Sequence, residues 1–220
     1  LIKECKNSDV VFFGEFHDNT IIHWLQLEMA EELLKKDEYI LGMEMFEADQ
    51  QQILNEYIQG AISQKAFEQD VRKWPNYSSD YAPIVNLAQN RGVSVIATNI
   101  PRRYAKLIYR KGEKSLYEHS QDQIDYMPDF PLEIDTNLVS YANLRMPLHS
   151  SGNETFLLEA QALKDATMAK QIADAVNKDY KVLHLNGKYH SDLKEGIVAQ
   201  LGYLNPDLKI TVITCKKVEN

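Results

Sequence analysis

The sequence predicts an α/β fold, a mostly parallel sheet flanked by helices with a smaller all-helical subdomain. Three observations carry this reading. Short continuous apolar runs recur along the chain, of the kind that suits strands buried on both faces. Helical segments separate them, and alternation of the two implies parallel crossovers. One stretch, residues 101–152, is poor in strand patterning. The core is therefore assigned to residues 1–100 and 153–220, and residues 101–152 to a small helical insertion.

The first strand spans roughly Asp9 to Gly14, around Val10-Val11-Phe12-Phe13. Asp18-Asn19 then offers an N-cap, and Ile21 to Lys36 forms an amphipathic helix with Ile22, Leu25, Met29 and Leu33 as its stripe. Tyr39 to Met45 is the second strand. The stretch from Ala48 to Arg91 is too long for one crossover helix and reads as helices near 49–58, 63–73 and 79–91, with a break at Trp74-Pro75-Asn76. Val93 to Asn99 is the third strand, closed by Pro101. Within 101–152, helices are expected at 101–110, at 113–126 and up to about Leu144. A long helix, Glu154 to Lys178, leads to the fourth strand at 181–186, a helix at about 191–201 and a terminal strand from Leu208 to Thr214.

Composition bounds the function. The 220 residues suffice for one domain with a real core, and 44% hydrophobic with 25% charged content is ordinary for a soluble globular protein. A net charge of −8 disfavours nucleic acid as a partner, which needs a basic footprint. No apolar run approaches the roughly 18 residues of a membrane span. The start at Leu1-Ile2-Lys3 reads as trimmed, so a removed targeting segment is compatible with the sequence. Cys5 and Cys215 read as two unrelated thiols, which pair only if the first and last strands bring them together.

Two copies of Gly-x-x-His follow strands: Gly14-Glu15-Phe16-His17 and Gly187-Lys188-Tyr189-His190. The second strand runs into Glu44. Ligands of open parallel sheets sit beyond the carboxyl ends of the strands, so His17, His190, Glu44 and Glu15 are expected in one cleft. A lone Gly-x-x-His more often marks a structural hydrogen bonder. Two of them with a carboxylate make a candidate divalent-metal set, His17, Glu44 and His190, or a metal-free acid–base group. Asn99 and Arg102 are expected at the same rim, with Arg102 either binding a carboxylate or pairing with Glu15 or Glu44. Leu157, Gln161, Asp165, Met168, Ile172 and Val176 form one stripe of the long helix. Its polar members, Gln161 and Asp165, are expected to support the cleft loops, with Tyr189 beside them.

Among the twelve tyrosines, Tyr104, Tyr126, Tyr141 and Tyr189 fall in loops or in the insertion. A phenolate can ligate haem iron. Met127, Phe130, Leu132, Leu144, Met146 and Leu148 could line an apolar face for a porphyrin, with His149 and Lys188 at its propionates.

Six motifs fall in one order: Gly14-Glu15-Phe16-His17, Gly42-Met43-Glu44-Met45-Phe46-Glu47, Asn99-Ile100-Pro101-Arg102-Arg103, Met146-Pro147-Leu148-His149, Ala160 to Ala169, and Asn186-Gly187-Lys188-Tyr189-His190. Over about residues 10 to 200 the chain resembles the ChaN family of iron-regulated, haem-binding lipoproteins. That family lies in a wider group with Tiki-type metalloproteases and erythromycin-esterase-like enzymes. The resemblance implies a haem carrier in bacterial iron or haem uptake. Haem would be bound through a tyrosine, with two haems between two subunits, and the candidate ligands are Tyr141, Tyr126 and Tyr104. It further implies a homodimer formed on haem binding, an outer-membrane haem receptor as partner, and an envelope location. The chain would sit on the outer membrane through a lipid anchor facing the periplasm, although no lipobox is present in this sequence. The competing implication is a metal-dependent hydrolase, a protease or esterase, using His17, Glu44 and His190.

Overall fold

The computed structural model describes residues 1–35, 38–117, 125–145 and 154–217. Five strands form one sheet: β1 (Val10–Glu15), β2 (Tyr39–Glu47), β3 (Val95–Asn99), β4 (Lys181–Gly187) and β5 (Ile210–Ile213). Their order is β3-β2-β4-β1-β5, and every pairing is parallel. The late strand β4 inserts between β1 and β2, which puts β2, β4 and β1 side by side at the centre. In register, Gly14 faces Asn186 and Glu15 faces Gly187.

Alternation along these strands explains their apolar runs. Val11, Phe13, Leu41, Met43, Leu183 and Leu185 point into one core, while Val10, Phe12, Ile40 and Val182 point into a second on the other face. The first core is covered by α2 (Thr20–Leu33), α3 (Gln51–Ile58), α4 (Gln64–Asp70) and α5 (Ala82–Arg91), all downstream of a short α1 (Ile2–Cys5). The second is covered by α9 (Glu154–Val176) and α10 (Ile197–Leu204).

Segment 101–152 contributes α6 (Arg102–Lys111), α7 (Lys114–Tyr117) and α8 (Val139–Arg145). Their apolar side chains, Ile108, Leu116 and Tyr141 among them, pack on Leu158, Leu163 and Ala166 of α9 in a third cluster. Helix α9 thus serves both the sheet and the added helices.

Several boundaries shift for local reasons. Helix α2 starts at Thr20 because the Asn19 side chain accepts from the Ile21 and Ile22 N–H groups. The helix expected at 79–91 opens instead as a π-turn, Tyr77–Tyr81, before α5. The helix expected at 113–126 is α7 alone within the described residues, and residues 125–127 are turns and a bend. The helix expected at 191–201 is split by a 3-10 turn, Asp192–Lys194. Both cysteines are free. Strands β1 and β5 are neighbours but parallel, so Cys5 precedes one strand and Cys215 follows the other. Among the described residues no helix is long and apolar enough to cross a membrane.

Candidate functional site

The carboxyl ends of β1, β2 and β4 meet in a cleft of about 370 Å³. Its lining includes His17, Glu44, Glu47, Trp74, Asn99, Arg102, Lys164 and His190. The two Gly-x-x-His segments and the Glu44 strand therefore converge, because β4 lies between β1 and β2.

His190 is nearly enclosed, 7% exposed. Its Nε2 lies 3.3 Å from Glu44 Oε1 and its Nδ1 2.5 Å from Asp165 Oδ1. The Gln161 carboxamide lies 3.0 Å from the same Nδ1. Asp165 in turn accepts from the Tyr141 hydroxyl at 2.9 Å. A continuous line thus runs from Tyr141 on α8 through Asp165 on α9 to His190 and Glu44. The other oxygen of Glu44 accepts from the Gly187 N–H at 2.7 Å.

His17 stands half-exposed on the opposite wall. Its Nδ1 is 2.8 Å from Glu15 Oε1, and its ring meets Trp74 edge-on, centroids 4.8 Å apart. Glu15 is buried and fully engaged, accepting also from Tyr81 (2.6 Å) and Gln26 (2.7 Å). The π-turn sets Tyr81 against Glu15, consistent with the association of π-turns with functional sites. Asn76 donates to the His17 carbonyl at 2.8 Å, which pins the loop.

The motif glycines supply space more than turning. Gly187 has ordinary backbone angles, φ −58° and ψ 133°. A Cβ there would stand 2.6 Å from His17 Nε2. A Cβ on Gly14 would stand 2.9 Å from the Lys188 backbone. The two Gly-x-x-His segments can approach each other only because neither glycine carries a side chain.

Electrostatics follow from this packing. Burial opposes charge on His190, yet Glu44 and Asp165 outweigh it and raise its pKa to about 10. Burial also disfavours the Glu44 carboxylate, but His190, the Gly187 N–H and His17 bring it down to about 2. Asp165 is pushed up by burial, with His190 and Tyr141 opposing. His17 is raised by its hydrogen bond to Glu15, against partial burial and with help from Glu44. Beneath them, His184 is buried beside Thr98 (2.9 Å) and Asn186 (3.1 Å), and burial lowers its pKa to about 4. At neutral pH the floor is an imidazolium held between two carboxyl groups, facing the more accessible ring of His17.

Other expected site residues are placed differently. Arg102 pairs with Glu47 (3.1 Å), a carboxylate that also binds Arg72 (3.0 Å), rather than with Glu15 or Glu44. Tyr189 is not in the cleft lining; its hydroxyl donates to the Ser140 carbonyl. Tyr141, expected to offer a phenolate to haem, is 1% exposed with its hydroxyl donating to Asp165, and burial raises its pKa beyond ordinary reach. Lys188 pairs with Asp192 at 2.6 Å and lies over the Phe16 ring. His149 lies outside the described residues. Among the described residues no three His, Cys, Asp or Glu side chains are arranged to hold an ion, and both His190 nitrogens already face carboxylates.

Tyr104 and Tyr126 are half-buried and adjacent. The Arg103 guanidinium lies 4.7 Å from the Tyr104 ring centroid and donates to the Tyr126 hydroxyl at 3.3 Å. Arg103 is anchored by Asp49 at 2.5 Å. Burial and Tyr104 push Tyr126 up to about 12, against Arg103.

Sequence reasoning missed Glu47, Trp74 and Lys164 in the lining, and Tyr81 and Gln26 behind Glu15. Glu47 carried a usable signal, a second acid at the end of an apolar strand. Trp74 and Lys164 carried none, because only the crossovers bring them to the sheet end.

Residues 1–201 match the family model described as haem-binding uptake, Tiki superfamily, ChaN. The chain belongs to this haem-binding family. Its fold is that of the solved structure of cofacial heme binding to ChaN of Campylobacter jejuni, with a TM-score of 0.75 at 21% identity, covering 99% of this chain and 86% of that one. The chain is also 25% identical over 189 residues to Protein RETICULATA-RELATED 5, chloroplastic, of Arabidopsis thaliana. That match covers 77% of this chain and 25% of the relative, so the chain spans about a quarter of the relative's length.

Proposed function

We propose that this protein carries haem as cargo in bacterial haem or iron uptake, binding ferric haem through one tyrosinate and pairing with a second copy as haem loads. The match of residues 1–201 to the haem-binding ChaN family carries this reading. The relative from Campylobacter jejuni binds heme cofacially, and transfer of that arrangement to this chain implies two subunits with stacked haems. Physical chemistry supports it. Ferric iron is hard and a phenolate stabilises it, while a single ligand leaves a route for release. A haem in a shallow site exposes one apolar face, and a second loaded copy would bury that face.

Tyr126 and Tyr104 are the favoured ligands, since both are only half-buried and sit beside the Arg103 guanidinium. Tyr141 would first have to leave Asp165 and the core. Lys188, released from Asp192, and His149 are the proposed propionate partners. An envelope location with a lipid anchor outside this chain, and delivery to or from an outer-membrane receptor, complete the reading. Sedimentation with and without hemin tests the pairing: a monomer at saturating hemin contradicts it.

The assembled cleft favours a second reading, hydrolysis by metal-free acid–base chemistry with His17 as the accessible imidazole. Ester or peptide cleavage in metal-depleted buffer, lost in His17→Asn, tests it.

A further inference from the structure

The cleft wall carries groups that the acid–base floor does not use. Lys164, on α9 one turn after Gln161, lines the cleft and has no ion pair or hydrogen bond among the described residues. Among the described residues Arg102 binds Glu47 through Nε alone, and its side chain is 64% exposed. Asn99 Oδ1 is buried at the end of β3 without a hydrogen-bond partner among the described residues. An orphaned acceptor of this kind costs stability unless something donates to it. Trp74, Ile100 and Ala105 form the apolar part of the wall.

We infer that this cleft binds a carboxylate that carries an N–H donor beside it, the chemistry of a peptide C-terminal residue or an N-acyl amino acid. The carboxylate would meet the Lys164 ammonium and the outer edge of Arg102, where charge-assisted hydrogen bonds form. The neighbouring N–H would satisfy Asn99 Oδ1. A doubly charged phosphate suits the cleft less, because Glu44 and Glu47 lie in the same lining. A haem propionate lacks the N–H. The site is therefore distinct from the proposed haem site, and either can fail without the other.

Trp74 provides the readout. A Trp24→Phe background removes the other tryptophan, which is exposed at 56% and away from the cleft lining. N-acetylglycine should change Trp74 fluorescence saturably, and N-acetylglycinamide, which lacks the carboxylate, should not. Lys164→Met should weaken N-acetylglycine about tenfold or more, and Lys164→Arg should restore it. Asn99→Ala should weaken N-acetylglycine while leaving simple propionate unchanged. Thermal melts of the same samples show that each variant is folded. Equal binding of the amide, an unchanged Lys164→Met titration, or stronger displacement by inorganic phosphate or hemin would each overturn the assignment.

Discussion

His190 shows how one residue ties the cleft to stability. Its pKa is raised from 6.5 to about 10, so its contribution is full below about pH 6.5 and lost as pH rises through about 10. Glu44 is depressed from 4.5 to about 2, so its contribution is present above pH 4.5 and lost as pH falls through about 2. Urea midpoints measured from pH 6 to 10 should therefore decline for the wild type and stay nearly flat for His190→Asn. The same decline in both proteins would detach the effect from His190. Tyr141 belongs to the same line. Tyr141→Phe leaves buried Asp165 short of a donor and should cost about 1–3 kcal/mol in denaturant titration. Its tyrosinate haem band should survive, because the phenol is enclosed; loss of the band with stability intact would return Tyr141 to the ligand role. The sequence made His17, Glu44 and His190 legible because each follows an apolar strand. It hid the burial of Tyr141, because a tyrosine at a packing position and one at a binding surface have the same local pattern.

At the scale of elements, strands were easier to read than the helices between them. Continuous apolar runs mark strands buried on both faces, and β1, β2 and β4 fall within two residues of their expected limits. Helix ends depended on side chains that act at a distance. Gln51, the first residue of α3, is the clearest case. Its Oε1 accepts from the Ala97 N–H at 2.7 Å and its Nε2 donates to the Val95 carbonyl at 2.8 Å. It completes the outer edge of β3 in place of a sixth strand. No local signal announces this, since Gln51 is an ordinary residue for a helix start. Gln51→Ala leaves both backbone groups unpaired and should destabilise by about 1–3 kcal/mol. Hydrogen exchange should quicken at Ala97 while the amides of central β4 stay protected. Unchanged protection at Ala97 would show that the edge does not depend on Gln51.

For the whole molecule, the parallel sheet was legible and the strand order was not. Periodicity shows which residues form strands, but only tertiary packing determines that β4 lies between β1 and β2. That placement brings together the two Gly-x-x-His segments and explains why their glycines need room. Tyr104 lies on α6 and Tyr126 in a turn of the same added segment, which packs on α9, so the floor of the cleft and the proposed haem surface are linked through one helix while using different residues. Haem loading supplies the most direct test of the account. Hemin should be titrated into the wild type, Tyr126→Phe, Tyr104→Phe and the double variant, with the absorption spectrum recorded at each step. Saturable binding with a five-coordinate ferric tyrosinate spectrum is expected in the wild type, lost in the double variant with the fold intact. A bis-histidine spectrum, or a tyrosinate spectrum unchanged in the double variant, would contradict it.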